Sequence, residues 1–90
     1  MSDQMKRAAM RKWLQAYFGT VLKIPADQID PGRSLFEFGI SSRQAVRLAG
    51  KIEQQLNMEI EATIAYEFPT IEELAGELIR RQAASEGADT

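Results

Sequence analysis

Leu35-Phe36-Glu37-Phe38-Gly39-Ile40-Ser41-Ser42-Arg43-Gln44-Ala45-Val46-Arg47-Leu48-Ala49 carries the chain from a stretch without periodicity into a strongly patterned one. Ala45, Leu48, Ala49, Ile52 and Leu56 fall at offsets of 3, 4, 7 and 11, which is one face of a helix. Ser41 and Gln44 have the S-x-x-Q spacing of a capping box, so Ser41 is predicted to accept a hydrogen bond from a first-turn N–H. Gly39 stands just before the helix, where a positive φ is expected. Asn57 is a plausible stop at the other end.

Working outward, two more helical stripes appear. Upstream, Met10, Trp13, Leu14, Tyr17, Phe18 and Val21 recur with helical spacing, and Pro25 ends that run near Ile24. Downstream, Ile71, Leu74, Ala75, Leu78 and Ile79 form the third stripe. Its start is marked by Pro69 and by the Thr70/Glu73 pair. Residues 62–68 have room for a short extra turn or two. Nothing alternates with period two for long enough to make a strand. The expected fold is all-α, a four-helix bundle of three long helices and one short, with a long loop between helices 1 and 2.

That loop, residues 23–41, is 19 residues long, unusually long for a compact domain. Ile24, Ile29, Leu35, Phe36 and Phe38 are the anchors expected to pack it down, and Asp30-Pro31-Gly32 is a turn signal within it. The domain is expected to span 5–82, with 1–4 and 83–90 as flexible ends or linker.

Composition narrows the function. Ninety residues, 44% of them hydrophobic, allow one core but no deep cleft beside it. There is no Cys, which removes disulfides and thiolate chemistry, and no His, which removes the commonest general base and zinc ligand. Eleven Lys+Arg against 13 Asp+Glu give a net charge of −2, a poor footprint for nucleic acid. A helix-turn-helix DNA binder is disfavoured on the same ground. No apolar run approaches the ~20 residues of a membrane span, and residues 1–6 lack the apolar core of a signal peptide. A cytoplasmic protein, monomeric as an isolated domain, is expected. Whatever the chain does, it is not expected to catalyse unaided.

The chemistry therefore centres on the serine pair. With Ser41 capping, Ser42 is the first helical residue and its hydroxyl is expected to be free. A helix N-terminus carries partial positive charge and spare N–H donors, and suits a phosphate, so Ser42 is well placed to carry a phosphodiester. The plainer reading is that both serines merely compete to cap the helix. Self-activated serine catalysis fails on inventory: Ser42 has no His, and Lys51 lies more than two turns away on the same helix.

Leu35 to Ser42, followed by Ala45-Val46-x-Leu48, resembles the signature of acyl carrier protein domains, which typically reads Gly-Leu-Asp-Ser-Leu. Phe68-Pro69-Thr70-Ile71-x-x-Leu74-Ala75 resembles the start of the last helix in carrier domains of polyketide synthases. The match runs in order from about Trp13 to Ile79. The resemblance implies a four-helix bundle carrying 4'-phosphopantetheine on Ser42. The arm would be installed from coenzyme A by a phosphopantetheinyl transferase using its own Mg²⁺, and its thiol would hold acyl or polyketide groups as thioesters. Ketosynthase or other synthase domains are the implied partners. This chain departs from the pattern twice: Ser41 stands where the family usually has Asp, and Arg43 where it has Leu. The Ser-Ser-Arg variant is similar to starter-unit carrier domains served by a fatty acyl-AMP ligase.

Arg43, Arg47 and Lys51 repeat at i, i+4 and i+8. Like charges at that spacing cost a few tenths of a kcal/mol per pair, and Arg43 stands at the unfavourable end of the helix dipole. The row is read as a partner docking surface, with a solvated face as the alternative. Carrier domains often present an acidic second helix, so this row implies partners with acidic or mixed surfaces. Arg43 is alternatively placed to meet the phosphate of the arm. Ile40, Ile64 and Ala65 are candidates for contact with the arm or cargo, with a core role as the alternative. Glu72, Glu73 and Glu77 are read as a solvated face. A peptidyl carrier domain of a non-ribosomal peptide synthetase and a helical interaction adaptor without a prosthetic group are the competing readings.

Overall fold

α1 (Asp3–Leu22), α2 (Ser42–Leu56), α3 (Ile64–Glu67) and α4 (Ile71–Ala88) follow in chain order in the computed structural model, which describes residues 3–88. Among the described residues there is no strand, and one isolated bridge joins Ser34 to Thr70. The all-α bundle of three long helices, one short helix and a long first connection is what the sequence predicts.

α1 stops at Leu22, two residues short of the proline-imposed limit. Lys23 adopts a left-handed conformation (φ 60°) and the Ile24 N–H donates to the Gly19 carbonyl at 3.1 Å, the closing bond of a Schellman motif. Gly19 permits this close return: a Cβ there would lie 2.9 Å from the Ile24 carbonyl oxygen.

The connection to α2 is more ordered than its sequence suggests. It contains two 3₁₀ turns, Ala26–Gln28 and Leu35–Phe38, each too short to leave a period in the sequence. Asp30 Oδ1 accepts the Gly32 N–H at 2.9 Å, making the expected turn. Ile29 and Leu35 are fully buried, and Ile24, Phe36 and Phe38 pack half-buried against the core. The Leu35 N–H donates to the Pro69 carbonyl (2.8 Å), and the Glu72 N–H donates to the Pro31 carbonyl (2.9 Å). Those two bonds fasten the loop to the start of α4.

Leu14 and Phe18 of α1, Leu48 and Ile52 of α2, Ile64 of α3, and Ile71, Leu74 and Leu78 of α4 are all at zero exposure. Burying each such side chain is worth about 1.5–3 kcal/mol. α3 is held by its approach: Asn57 turns the chain in a left-handed conformation (φ 53°), and the Glu53 carboxylate accepts the Ile60 N–H at 2.9 Å. At the start of α4, Thr70 Oγ1 accepts the Glu73 N–H at 3.1 Å. The return half of that box differs from expectation, because the Thr70 hydroxyl donates to the Glu73 carboxylate instead.

The helical backbone extends beyond the expected span 5–82, from Asp3 and on to Ala88. Ala83, Ala84 and Glu86 favour helix intrinsically and no proline interrupts them. Residues 1–2 and 89–90 lie outside the described residues. One expectation needs correction: Glu77 is not part of a solvated face, because its side chain is only 11% exposed and it accepts from both Arg80 and Arg81 at 2.7 Å. Arg81 also reaches Glu61, before α3, at 2.7 Å. It thereby ties α4 to the α2–α3 connection.

These pairs make stability depend on acid. The Arg80 and then the Arg81 hydrogen bonds hold the Glu77 carboxyl down from 4.5 to about 2, and the Arg81 hydrogen bond does the same to Glu61. Carboxyls with a lowered folded-state pKa stabilise fully above the unfolded value and lose that contribution as pH falls through the folded one. Thermal melts should therefore show Tm falling between pH 4.5 and about 2. Arg81→Met should flatten that fall and lower Tm at neutral pH.

Candidate functional site

The N-terminus of α2 is built by a division of labour between adjacent serines. Ser41 is extended (φ −89°, ψ 167°) and forms both halves of the capping box. Its Oγ accepts the Gln44 N–H at 3.2 Å, and its own N–H donates to Gln44 Oε1 at 2.7 Å. Gly39, at φ 92°, turns the chain from the preceding 3₁₀ turn into this extended approach. Ser42 follows as the first helical residue and is exposed.

The sequence suggests a free Ser42 hydroxyl, but the structure gives it a partner. Tyr66 of α3 donates to Ser42 Oγ at 3.0 Å. The Tyr66 ring stacks on Phe36 with centroids 4.8 Å apart and planes 26° from parallel. Three elements thus meet at one hydroxyl: the 3₁₀ turn through Phe36, α2 through Ser42, and α3 through Tyr66. Accepting from Tyr66 leaves the Ser42 proton available to a base and the oxygen with a second lone pair. Sequence reasoning does not find Tyr66. The available signal is an aromatic residue on a four-residue helix whose neighbours Ile64 and Ala65 already supply its buried face.

Tyr66 and Val46, each 52% exposed, leave apolar surface beside the serine. Ile40, Ile64 and Ala65 do not: Ile64 and Ala65 are at zero exposure and Ile40 at 6%. All three sit in the core, which leaves almost none of their surface at the rim.

Arg43, Arg47 and Lys51 are exposed, and among the described residues none of them makes an ion pair. Arg47 and Lys51 border a groove with Tyr17 and Gln54. Burial pushes the Tyr17 phenol up while the positive charge of Arg47 pulls it down. The first turn of α2 holds no acidic residue. Helix dipole and Arg43 therefore give the Ser42 rim a positive bias, suited to an anionic phosphodiester. An apolar groove of about 340 Å³ between Met10, Trp13, Leu56 and Ile79 lies at the far end of α2, ~20 Å along the helix from Ser42.

Among the described residues no group of His, Cys, Asp and Glu could hold a metal ion, and no helix is long and apolar enough to cross a membrane. The site the described residues present is an exposed serine at a helix N-terminus, with a tyrosine hydroxyl on its oxygen.

The phosphopantetheine attachment site family matches residues 12–78, and the chain belongs to it. It is a carrier domain whose family bears a 4'-phosphopantetheine arm on a serine. The chain is 38% identical over 71 residues to a subunit of the phenolphthiocerol/phthiocerol polyketide synthase of Mycobacterium tuberculosis, covering 79% of this chain and 4% of that protein. It is 38% identical over 69 residues to polyketide synthase PksL of Bacillus subtilis, covering 77% of this chain and 2% of that one. The resemblance to polyketide synthase carrier regions is thus borne out, and this chain spans a small fraction of the curated relatives it matches.

In fold it is similar to a free-standing peptidyl carrier protein from Acinetobacter baumannii (TM-score 0.81, 24% identity, 84% of this chain and 95% of that one). It is also similar to the HMG-ACPI domain of the CurA module from Lyngbya majuscula (TM-score 0.80, 21% identity, 89% of this chain and 81% of that one).

The capping geometry yields a direct test. Ser41→Ala removes the hydroxyl that accepts the Gln44 N–H and should cost about 1 kcal/mol. Urea unfolding should show an earlier midpoint with an unchanged slope.

Proposed function

We propose that Ser42 is the serine that takes the arm, and that the domain presents acyl or polyketide intermediates held on it as thioesters to partner enzymes of a polyketide synthase. The observation that carries this is the division of the serine pair: the Ser41 oxygen is committed to the helix cap, while the Ser42 oxygen is exposed and keeps its proton. The residues around it fit an anionic diester. The rim has the positive end of α2, an adjacent Arg43 without an ion pair among the described residues, and no acidic side chain in the first turn.

In the modification, Ser42 Oγ forms a new P–O bond to the pantetheine-bearing phosphorus of coenzyme A. Its proton passes to a base of the transferase, and adenosine 3',5'-bisphosphate leaves. The chain's part is to hold the hydroxyl out at a fixed place; it supplies no base of its own. Once bound, the arm supplies the thiol that this cysteine-free chain lacks.

The exposed row of Arg43, Arg47 and Lys51 is read as the docking surface. Cations with no acidic partner among the described residues, set beside the half-buried Tyr17, favour an acidic or mixed partner face. An acyl-loading enzyme, specifically a fatty acyl-AMP ligase, and a ketosynthase are the partners this reading assigns. The cytoplasm is the compartment it assigns.

Incubation with coenzyme A and a promiscuous phosphopantetheinyl transferase should raise the mass by one phosphopantetheinyl group. Ser42→Ala should gain nothing. A gain that persists in Ser42→Ala moves the attachment elsewhere, and no gain in the parent chain favours the adaptor reading.

Arg47→Glu should leave the melting curve near that of the parent, because Arg47 is exposed and makes no ion pair among the described residues. It should slow acylation of the loaded domain by its cognate ligase roughly tenfold or more, the loss expected when a charge at an interface is reversed. Equal loading rates would remove Arg47 from the docking surface.

A further inference from the structure

The contact between Tyr66 and Ser42 fixes where the Tyr66 hydroxyl stands relative to an ester formed on Ser42 Oγ. Before modification the Tyr66 hydroxyl donates to Ser42 Oγ across 3.0 Å. After modification that oxygen bridges carbon and phosphorus and becomes a poor acceptor, whereas the adjoining non-bridging oxygens carry a negative charge and are strong ones. They are bonded to the phosphorus next to the oxygen Tyr66 already touches. The ring need not travel to follow them, and the Phe36 stack restrains it from swinging away.

We infer that Tyr66 is a phosphodiester clamp: its hydroxyl moves from the Ser42 oxygen to a phosphate oxygen on modification and fixes the root of the arm against the Phe36–Tyr66 shelf. This rests on Ser42 being the attachment site. Two independent features support it. Tyr66 is half exposed on a helix of four residues, and among the described residues its hydroxyl bonds to Ser42 alone. The stacked pair joins a residue before α2 to one after it, across 30 positions of sequence, so the shelf is held from both sides of the serine. The clamp is separate from the basic row, which lies on α2, whereas Tyr66 reaches Ser42 from α3.

A hydrogen bond to a charged acceptor shifts the ratio of held to free arm by about tenfold. Tyr66→Phe deletes the donor and keeps the ring, so the shelf and the fold should survive. The full chain and its Tyr66→Phe variant are loaded with coenzyme A, weighed, and followed by ³¹P NMR. The reference is the same arm on an unstructured serine peptide. In the parent, the phosphodiester resonance should stand apart from the peptide's; in Tyr66→Phe it should move toward the peptide's. In the unmodified proteins, the Ser42 Hα–Hβ couplings should report one rotamer in the parent and averaging in the variant. Circular dichroism of the two should coincide.

Identical ³¹P positions in parent and variant would overturn the clamp, as would loss of helicity in Tyr66→Phe, which would make the hydroxyl a support of the fold. Failure of the parent to gain mass, or a gain that survives Ser42→Ala, would instead strike at the attachment site itself.

Discussion

The first turn of α2 leaves backbone N–H groups that no carbonyl of the helix can reach, and this unmet demand organises the site. Ser41 answers it with its side-chain oxygen and, through Gln44, also satisfies its own N–H. One residue of register separates a structural oxygen from an available one. Everything upstream serves to bring the chain to that point in the right conformation: the 3₁₀ turn at Leu35–Phe38, the left-handed Gly39, and the extended Ser41. Everything downstream keeps α2 and α3 together so that Tyr66 reaches back over Ser42.

A second constraint comes from the small core. A bundle of this size cannot bury both an apolar interior and a binding cavity, and α3 shows how the limit is met. Four residues suffice because Ile64 and Ala65 face entirely inward while Tyr66 faces out. Exposed functional surface and buried structural surface are divided between neighbouring positions of one turn, as they are between Ser41 and Ser42.

The three long helices are legible because their apolar residues recur with the helical period over several turns, and the cap at Ser41 because its partner Gln44 is three residues away. What is not legible is what depends on contacts across the chain. Leu35–Phe38 is capped locally by Ser34, but it is also held by the Pro69 carbonyl, which receives the Leu35 N–H from 34 positions away and leaves no local signal. Tyr66 meets Ser42 through packing that brings positions 24 apart together. Ile40, Ile64 and Ala65 could be read from sequence either as core or as rim, and burial decides for the core. Glu77 carries the same ambiguity: its spacing along α4 fits a wet face, yet Arg81 leans over it to reach Glu61.

The two bonds that sew the first connection to α4 also govern the order of events during synthesis. Pro31 waits for the Glu72 N–H, and Leu35 waits for the Pro69 carbonyl, so the segment leading into Ser42 has its hydrogen bonds completed only when the last helix begins. A ribosome-bound fragment ending before residue 69 presents the serine on an unfastened loop, with the closure entropy of a long chain segment still opposing order. The approach to the serine is thus completed by the residues that open the last helix, far along the chain from the serine itself.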